Sequence, residues 1–167
     1  IEPHASNLMR LGAWRMAIRQ PDGTYGQDAA VATMPLANQL ARSELPFAPH
    51  FRGYFGHEPE MTLPEMTVRY RLTFTQAYDG PVTLVMEPGS LVGDWTLTLN
   101  DGRDDASPLT AADFEPTNHH VRGSLGVDVT DRLVEGENVL QLEVTTDRTD
   151  GGLRNPLYLA GDFGVTL

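Results

Sequence analysis

Hydrophobic and polar residues alternate with period two along most of this chain. Trp14, Met16 and Ile18 alternate with Arg15, Ala17 and Arg19, which predicts a first strand ended by the turn Gln20-Pro21-Asp22-Gly23. Val68, Tyr70, Leu72 and Phe74 share one face, with Arg69, Arg71, Thr73 and Thr75 on the other. Asp79-Gly80-Pro81 turns the chain into a run with Val82, Leu84 and Met86 inward, which Glu87-Pro88-Gly89 breaks. Trp95, Leu97 and Leu99 then alternate with Thr96, Thr98 and Asn100, and Asn100-Asp101-Gly102 is a hairpin signal because these residues tolerate positive φ. Leu125, Val127 and Val129 form the next inward face.

The last forty residues close the core. Thr130 and Asp131 are expected to cap a helical turn and Gly136 to end it, with Leu133 and Val134 plugging one end of the core. Leu140, Leu142 and Val144 then share a face opposite Gln141, Glu143 and Thr145. After the polar loop 147–155, Pro156 is expected to open an edge segment, and Phe163, Val165 and Leu167 to alternate in a closing strand. The segment Tyr25 to Met66 lacks sustained alternation and holds five prolines, with one short helix expected from Pro35 to Glu44 burying Leu36, Leu40 and Ala41. About eight strands with antiparallel turns and one or two short helical turns make an all-β fold, an antiparallel β-sandwich or jelly roll.

The tail also carries a family resemblance. D-V-T-D-x-L from Asp128, G-x-N-x-L from Gly136, and L-x-N-P-L-Y-L-x-G-D-F-G-V from Leu153 resemble the end of galactose-binding-domain-like β-sandwich modules attached to large bacterial glycoside hydrolases. The type most similar is the sugar-binding module of glycoside hydrolase family two and of rhamnosidase-like enzymes. The strands from Val68 to Asn100 fit more loosely, and residues 1 to 66 match no quotable motif. The resemblance implies a module without catalytic residues, structural or carbohydrate-binding; it implies no particular ligand, because such modules vary their loops.

Composition narrows the partners. A chain of 167 residues is one domain by size, and such a domain buries roughly 70% of its unfolded surface. Residues 1–167 are therefore read as one β-sandwich module. The chain begins with Ile and shows no signal peptide, which suggests a module excised from a larger protein or a mature chain. No apolar run approaches the ~20 residues of a membrane span. With 23 acidic against 12 basic residues the net charge is -11, which argues against nucleic acid and anionic membranes and leaves neutral saccharides compatible. The absence of cysteine removes disulfides and thiol chemistry but does not fix the compartment, so localisation stays open.

Few residues stand out as chemistry. A glycosidase needs two carboxylates flanking one bond, and no acidic residue here sits on a motif that selects it; no catalytic residue is assigned. The five histidines, His4, His50, His57, His119 and His120, show no zinc spacing, and neighbouring His119 and His120 point oppositely if extended. Asp147, Asp150 and Asp162 raise a structural calcium option, set against ordinary turn aspartates bonding their own backbone; no cofactor or metal is assigned. The stretch Pro46 to Pro59, PFAPHFRGYFGHEP, concentrates aromatics. Phe47, Phe51 and Phe55 are read as fastening this loop to the sandwich, leaving Arg52, Tyr54 and His57 as the candidate ligand-binding residues. Trp14 and Trp95 are read as core.

The chain is accordingly read as a non-catalytic carbohydrate-binding or structural accessory module of a larger glycoside hydrolase, its partner a neutral saccharide or the neighbouring catalytic domain of the same polypeptide. A purely architectural or protein-interaction domain and a stand-alone hydrolase are the alternatives.

Overall fold

The computed structural model describes residues 7–43, 63–100 and 107–164. Among them are twelve strands: β1 (Asn7–Leu11), β2 (Trp14–Ile18), β3 (Ala29–Val31), β4 (Met66–Gln76), β5 (Thr83–Met86), β6 (Leu91–Val92), β7 (Asp94–Leu99), β8 (Glu115–Pro116), β9 (Leu125–Asp128), β10 (Gly136–Thr146), β11 (Gly152–Leu153) and β12 (Leu157–Gly161). One helix, α1 (Leu36–Arg42), and two short 3-10 turns, Ala111–Asp113 and Thr130–Arg132, complete the inventory.

The strands form an antiparallel β-sandwich. Sheet I has the order β1-β12-β5-β9-β8 and sheet II the order β3-β2-β4-β10-β7; β6 and β11 pair as a separate ribbon. The two eleven-residue strands β4 and β10 run the height of sheet II in unbroken register, from Gly136 opposite Gln76 to Thr146 opposite Met66. That register brings the expected apolar faces together: Val68, Tyr70, Leu140, Leu142 and Val144 are fully buried, as are Trp14, Met16 and Leu97. Leu84, Leu157 and Leu159 supply the facing layer from sheet I. Trp95 packs on this core and is partly buried, its ring edge-to-face with Phe114 at 5.8 Å between centroids.

Several expectations are corrected. β1 precedes the strand expected to be first, and it pairs along β12 from Asn7–Gly161 to Leu11–Leu157. β12 is therefore flanked on both sides, by β1 and β5, and is not an edge segment. Pro156 stands before the strand, so its missing N–H breaks no ladder bond. Helix α1 is shorter than expected and buries Leu36, Ala37, Gln39 and Leu40, while Ala41 is exposed because it lies about 100° further round the helix than Leu40. Glu44 lies outside the described residues. The Thr130–Arg132 turn is held by Asp128, whose Oδ1 accepts from the Thr130 N–H at 2.9 Å and hydroxyl at 2.6 Å. Thr130 Oγ1 instead accepts the Val82 N–H at 3.0 Å, tying the turn to the start of β5. Leu133 packs on the core, whereas Val134 is only partly buried and uses its backbone to grip Asn138. Phe163 lies beyond β12 in an irregular segment; Val165 and Leu167 lie outside the described residues.

Asn100 adopts the left-handed conformation expected of it, φ +57. Asp101 and Gly102 lie outside the described residues, but the chain returns antiparallel beside β7, where Leu97 and Leu109 exchange backbone bonds at 2.9 and 2.7 Å.

Candidate functional site

The ends of a sandwich are where its loops can build a concavity without disturbing the ladders. One end of this molecule is formed where β4 finishes, β5 begins and the chain leaves β12. There a cleft of about 330 Å³ is lined by Met9, Phe74, Tyr78, Leu159 and Phe163, with Thr75, Gln76 and Asp162 among its polar residues. A second cleft of about 650 Å³, lined by Asp79, Thr130, Asp131 and Glu135, shares Gln76 and Tyr78 with the first. The segment Gln76 to Tyr78 is thus a ridge between an apolar cleft and an acidic one.

Local chemistry fixes that ridge. Gln76 Nε2 donates to the Tyr78 carbonyl at 2.6 Å, which folds the chain back on itself as it leaves β4. A Cβ at Gly80 would collide with the Tyr78 hydroxyl, so glycine gives the ring its room. The Tyr78 and Phe163 rings meet edge-to-face, 5.7 Å between centroids. Phe163 is held by Asn7, whose Nδ2 donates to its carbonyl at 2.6 Å, and by Gly161, where a Cβ would stand 2.7 Å from the ring. Two edge-packed rings beside amide and carboxylate groups can hold a polyol with one apolar face: rings take the C–H face and Gln76 and Asp162 take hydroxyls.

The opposite end carries a groove of about 540 Å³ along the outside of β2 and β4, lined by Arg19, Gln20, Gln27, Glu65 and Thr67. Among the described residues it has no aromatic wall, so these offer less for a sugar face. The sequence-derived candidates Arg52, Tyr54 and His57 lie outside the described residues, as do Phe47, Phe51, Phe55, His4 and His50.

Several of the described carboxylates are engaged in structure. Thr110 hydrogen bonds hold Asp113 below the usual carboxylate range, and Thr24 and Thr130 hydrogen bonds do the same for Asp22 and Asp128. Arg148 bonds Asp150 at 2.8 and 2.9 Å and lowers its pKa, with Arg154 at 3.4 Å. A glycosidic general acid needs the opposite shift. Asp150 is thereby neutralised, and Asp162 sits at the Gln76 end of β4 while Asp147 follows Thr146, opposite Met66. Ten strand residues, roughly 33 Å, separate those ends, so the three aspartates do not converge on one ion. Among the described residues no group of three or more His, Cys, Asp or Glu is placed to hold a metal. His119 is exposed, whereas His120 stacks on Tyr158 at 4.4 Å and bonds Glu87 at 3.0 Å. No helix among the described residues is long and apolar enough to cross a membrane.

Sequence reasoning missed Tyr78 and Phe163 as a pair. Eighty-five residues separate them, and the signals within reach were Gly80 beside Tyr78 and Gly161 beside Phe163.

No family model matches the sequence. No curated protein matches it either. Solved structures do. An FMN-binding β-glucuronidase from Facaelibacterium prausnitzii L2-6 is similar at TM-score 0.55 and 18% identity, over 93% of this chain and 22% of that one. A β-D-mannosidase from Dictyoglomus thermophilum is similar at TM-score 0.57 and 13% identity, again over 93% and 22%. A β-glucuronidase from Ruminococcus gnavus in complex with uronic isofagomine gives TM-score 0.58 and 10% identity, over 96% and 29%. At these identities the likeness is one of fold. The chain spans less than a third of the length of each of these proteins.

Proposed function

We propose that this chain is a non-catalytic accessory module of a larger glycoside hydrolase, and that the clefts around Tyr78 hold a neutral saccharide. The observation that carries this reading is one of proportion: the fold of almost the whole chain corresponds to a 22–29% portion of chains named as β-glucuronidase or β-mannosidase. The end clefts add the chemistry, aromatic rings beside hydroxyl-binding groups and carboxylates. Anionic ligands are disfavoured there, because the described residues of the linings include Asp79, Asp131, Glu135 and Asp162 and no basic side chain. The loop residues Arg52, Tyr54 and His57 are a further proposed contact surface for the same class of ligand, and 1–167 is proposed to act as one module.

The test is affinity electrophoresis of the chain through gels containing a neutral mannan or glucan, with Tyr78→Ala and Tyr54→Ala compared. Retardation lost in Tyr78→Ala supports the cleft, and loss in Tyr54→Ala alone moves binding to the loop. Hydrolysis of an aryl glycoside by this chain, abolished on replacing one carboxylate, contradicts the non-catalytic role.

A second reading, packing against a catalytic domain of the same polypeptide, has one observation in its favour. Leu8 (36% exposed) and Val121 (46% exposed) are the exposed large hydrophobic side chains among the described residues. Leu8 lies on β1 of sheet I, and Val121 follows His120, which stacks on Tyr158 of the same sheet.

A further inference from the structure

The solvent face of sheet II has a different character from the end clefts. In a pleated sheet, residues opposite one another across a ladder share a face. Arg15 on β2 stands directly opposite Arg71 on β4, which on its other side faces Gln141 of β10 and then Thr98 of β7. One step along the same face, Arg69 stands opposite Glu143, and Tyr25 lies against it with the guanidinium carbon 4.2 Å from the ring centre. A further step leads to Arg19 and Thr67 at the mouth of the 540 Å³ groove. Four of the twelve basic residues of a chain with net charge -11 therefore share one face.

Their counter-charges are unevenly shared. Asp28 serves two of them, at 3.9 Å from Arg15 and 3.5 Å from Arg69, and its carbonyl accepts from Arg15 at 3.1 Å. Arg71 is exposed and has no carboxylate within ion-pair distance among the described residues, although an arginine stands opposite it. Like charges placed directly opposite cost stability, so this pair is relieved when an anion lies between the two guanidinium groups. The Tyr25 hydroxyl is buried and has no partner of good hydrogen-bond geometry; burial and the nearby Glu143 push its pKa up to about 12, so it stays a donor.

The geometry points to a second binding surface on this face, taking a carboxylate-bearing saccharide through Arg15 and Arg71. Guanidinium groups bind carboxylates bidentately, and Arg69 and Arg71 project about 7 Å apart along β4, a spacing that suits charges repeated along an extended chain. The exposed Thr96 on the same face matches a hydroxyl. An acidic protein surface fits less well: interfaces need an apolar or aromatic centre, and the exposed large hydrophobics among the described residues, Leu8 and Val121, lie on neither β2, β4 nor β10. This surface is distinct from the clefts around Tyr78 and does not depend on them.

The test is an amide NMR titration of the full chain with trigalacturonate, its fully methyl-esterified form and hexaglutamate, on wild type, Arg71→Gln and Arg71→Lys. Trigalacturonate is expected to shift the amides of Arg15, Arg69 and Arg71, and to bind about ten-fold more weakly to Arg71→Gln. Weaker binding is also expected for Arg71→Lys, for the ester, and as salt is raised. The proposal is overturned if no shifts appear on β2 and β4, if Arg71→Gln or Arg71→Lys binds as wild type does, or if hexaglutamate binds as tightly. Shifts at Tyr78 with a neutral saccharide, unchanged in Arg71→Gln, report on the end cleft alone, so the two readings fail separately.

Discussion

The Tyr70 hydroxyl donates to Gln39 Oε1 at 2.6 Å, and both side chains are almost wholly buried, 0% and 1% exposed. This bond joins the centre of β4 to helix α1, while Gln39 Nε2 donates to the carbonyls of Ala32 at 2.9 Å and Leu153 at 3.3 Å. A single amide thus satisfies groups from three segments that have no ladder between them. Burial raises the Tyr70 pKa well above its ordinary value, so the phenol is a donor at neutral pH.

Replacing Gln39 by Leu should cost roughly 1–3 kcal/mol, since it leaves the buried Tyr70 hydroxyl without its acceptor and removes the donor to Ala32, while the Leu153 carbonyl keeps the Met34 N–H at 3.2 Å. Tyr70→Phe should cost less, because it removes the donor and strands one acceptor. Urea unfolding of both variants checks this; equal midpoints to wild type would mean that water takes over the bonds.

Gly152 →Ala should also destabilise. Gly152 has φ +81, and a Cβ there would collide with the Tyr70 hydroxyl. The loss should shrink in the double variant with Tyr70→Phe, leaving the backbone strain, and a double-mutant cycle on thermal unfolding measures the difference.

Leu142 sits at the centre of β10 with none of its surface exposed. Leu142→Ala should cost roughly 2–5 kcal/mol as a buried large-to-small change. A cost near zero in denaturant titration would contradict the β4–β10 register.

Acidification should weaken the fold. Asp128 and Asp150 titrate below their ordinary value because Thr130 and Arg148 hydrogen-bond the charged form. A depressed folded pKa contributes stability above the unfolded carboxylate value of about 3.9, and that contribution is lost as pH falls through the folded values. The urea midpoint should therefore fall below about pH 4, and less steeply in Asp128→Asn, whose amide oxygen still accepts but does not titrate.

The sandwich was legible where alternation ran long enough to show. β4 and β10 announced themselves through four inward residues at Val68–Phe74 and three at Leu140–Val144, and their faces are as read. β1 was invisible because its inward residues, Met9 and Leu11, stand beside the exposed Leu8, so no two-residue period survives. β6, β8 and β11 have two residues each, too short to carry a period. The buried amides were beyond reach for another reason. Asn138 looks like a turn residue, yet it is fully buried, accepting from Val134 N–H and Asn100 Nδ2, both at 2.8 Å, and donating to the Val134 carbonyl at 2.7 Å. Only the fold reveals that Asn100 and Asn138 meet. The clefts around Tyr78 were likewise not inferable, since they form where the ends of β4 and β12 converge.

The most direct test of the account is amide chemical-shift mapping of the chain during titration with a neutral oligosaccharide such as mannotriose. The account predicts saturable shifts confined to Gln76–Gly80, Thr130–Glu135 and Asp162–Gly164, lost in Tyr78→Ala with the rest of the spectrum unchanged. Shifts absent at millimolar saccharide, or clustered away from these three segments, would contradict it.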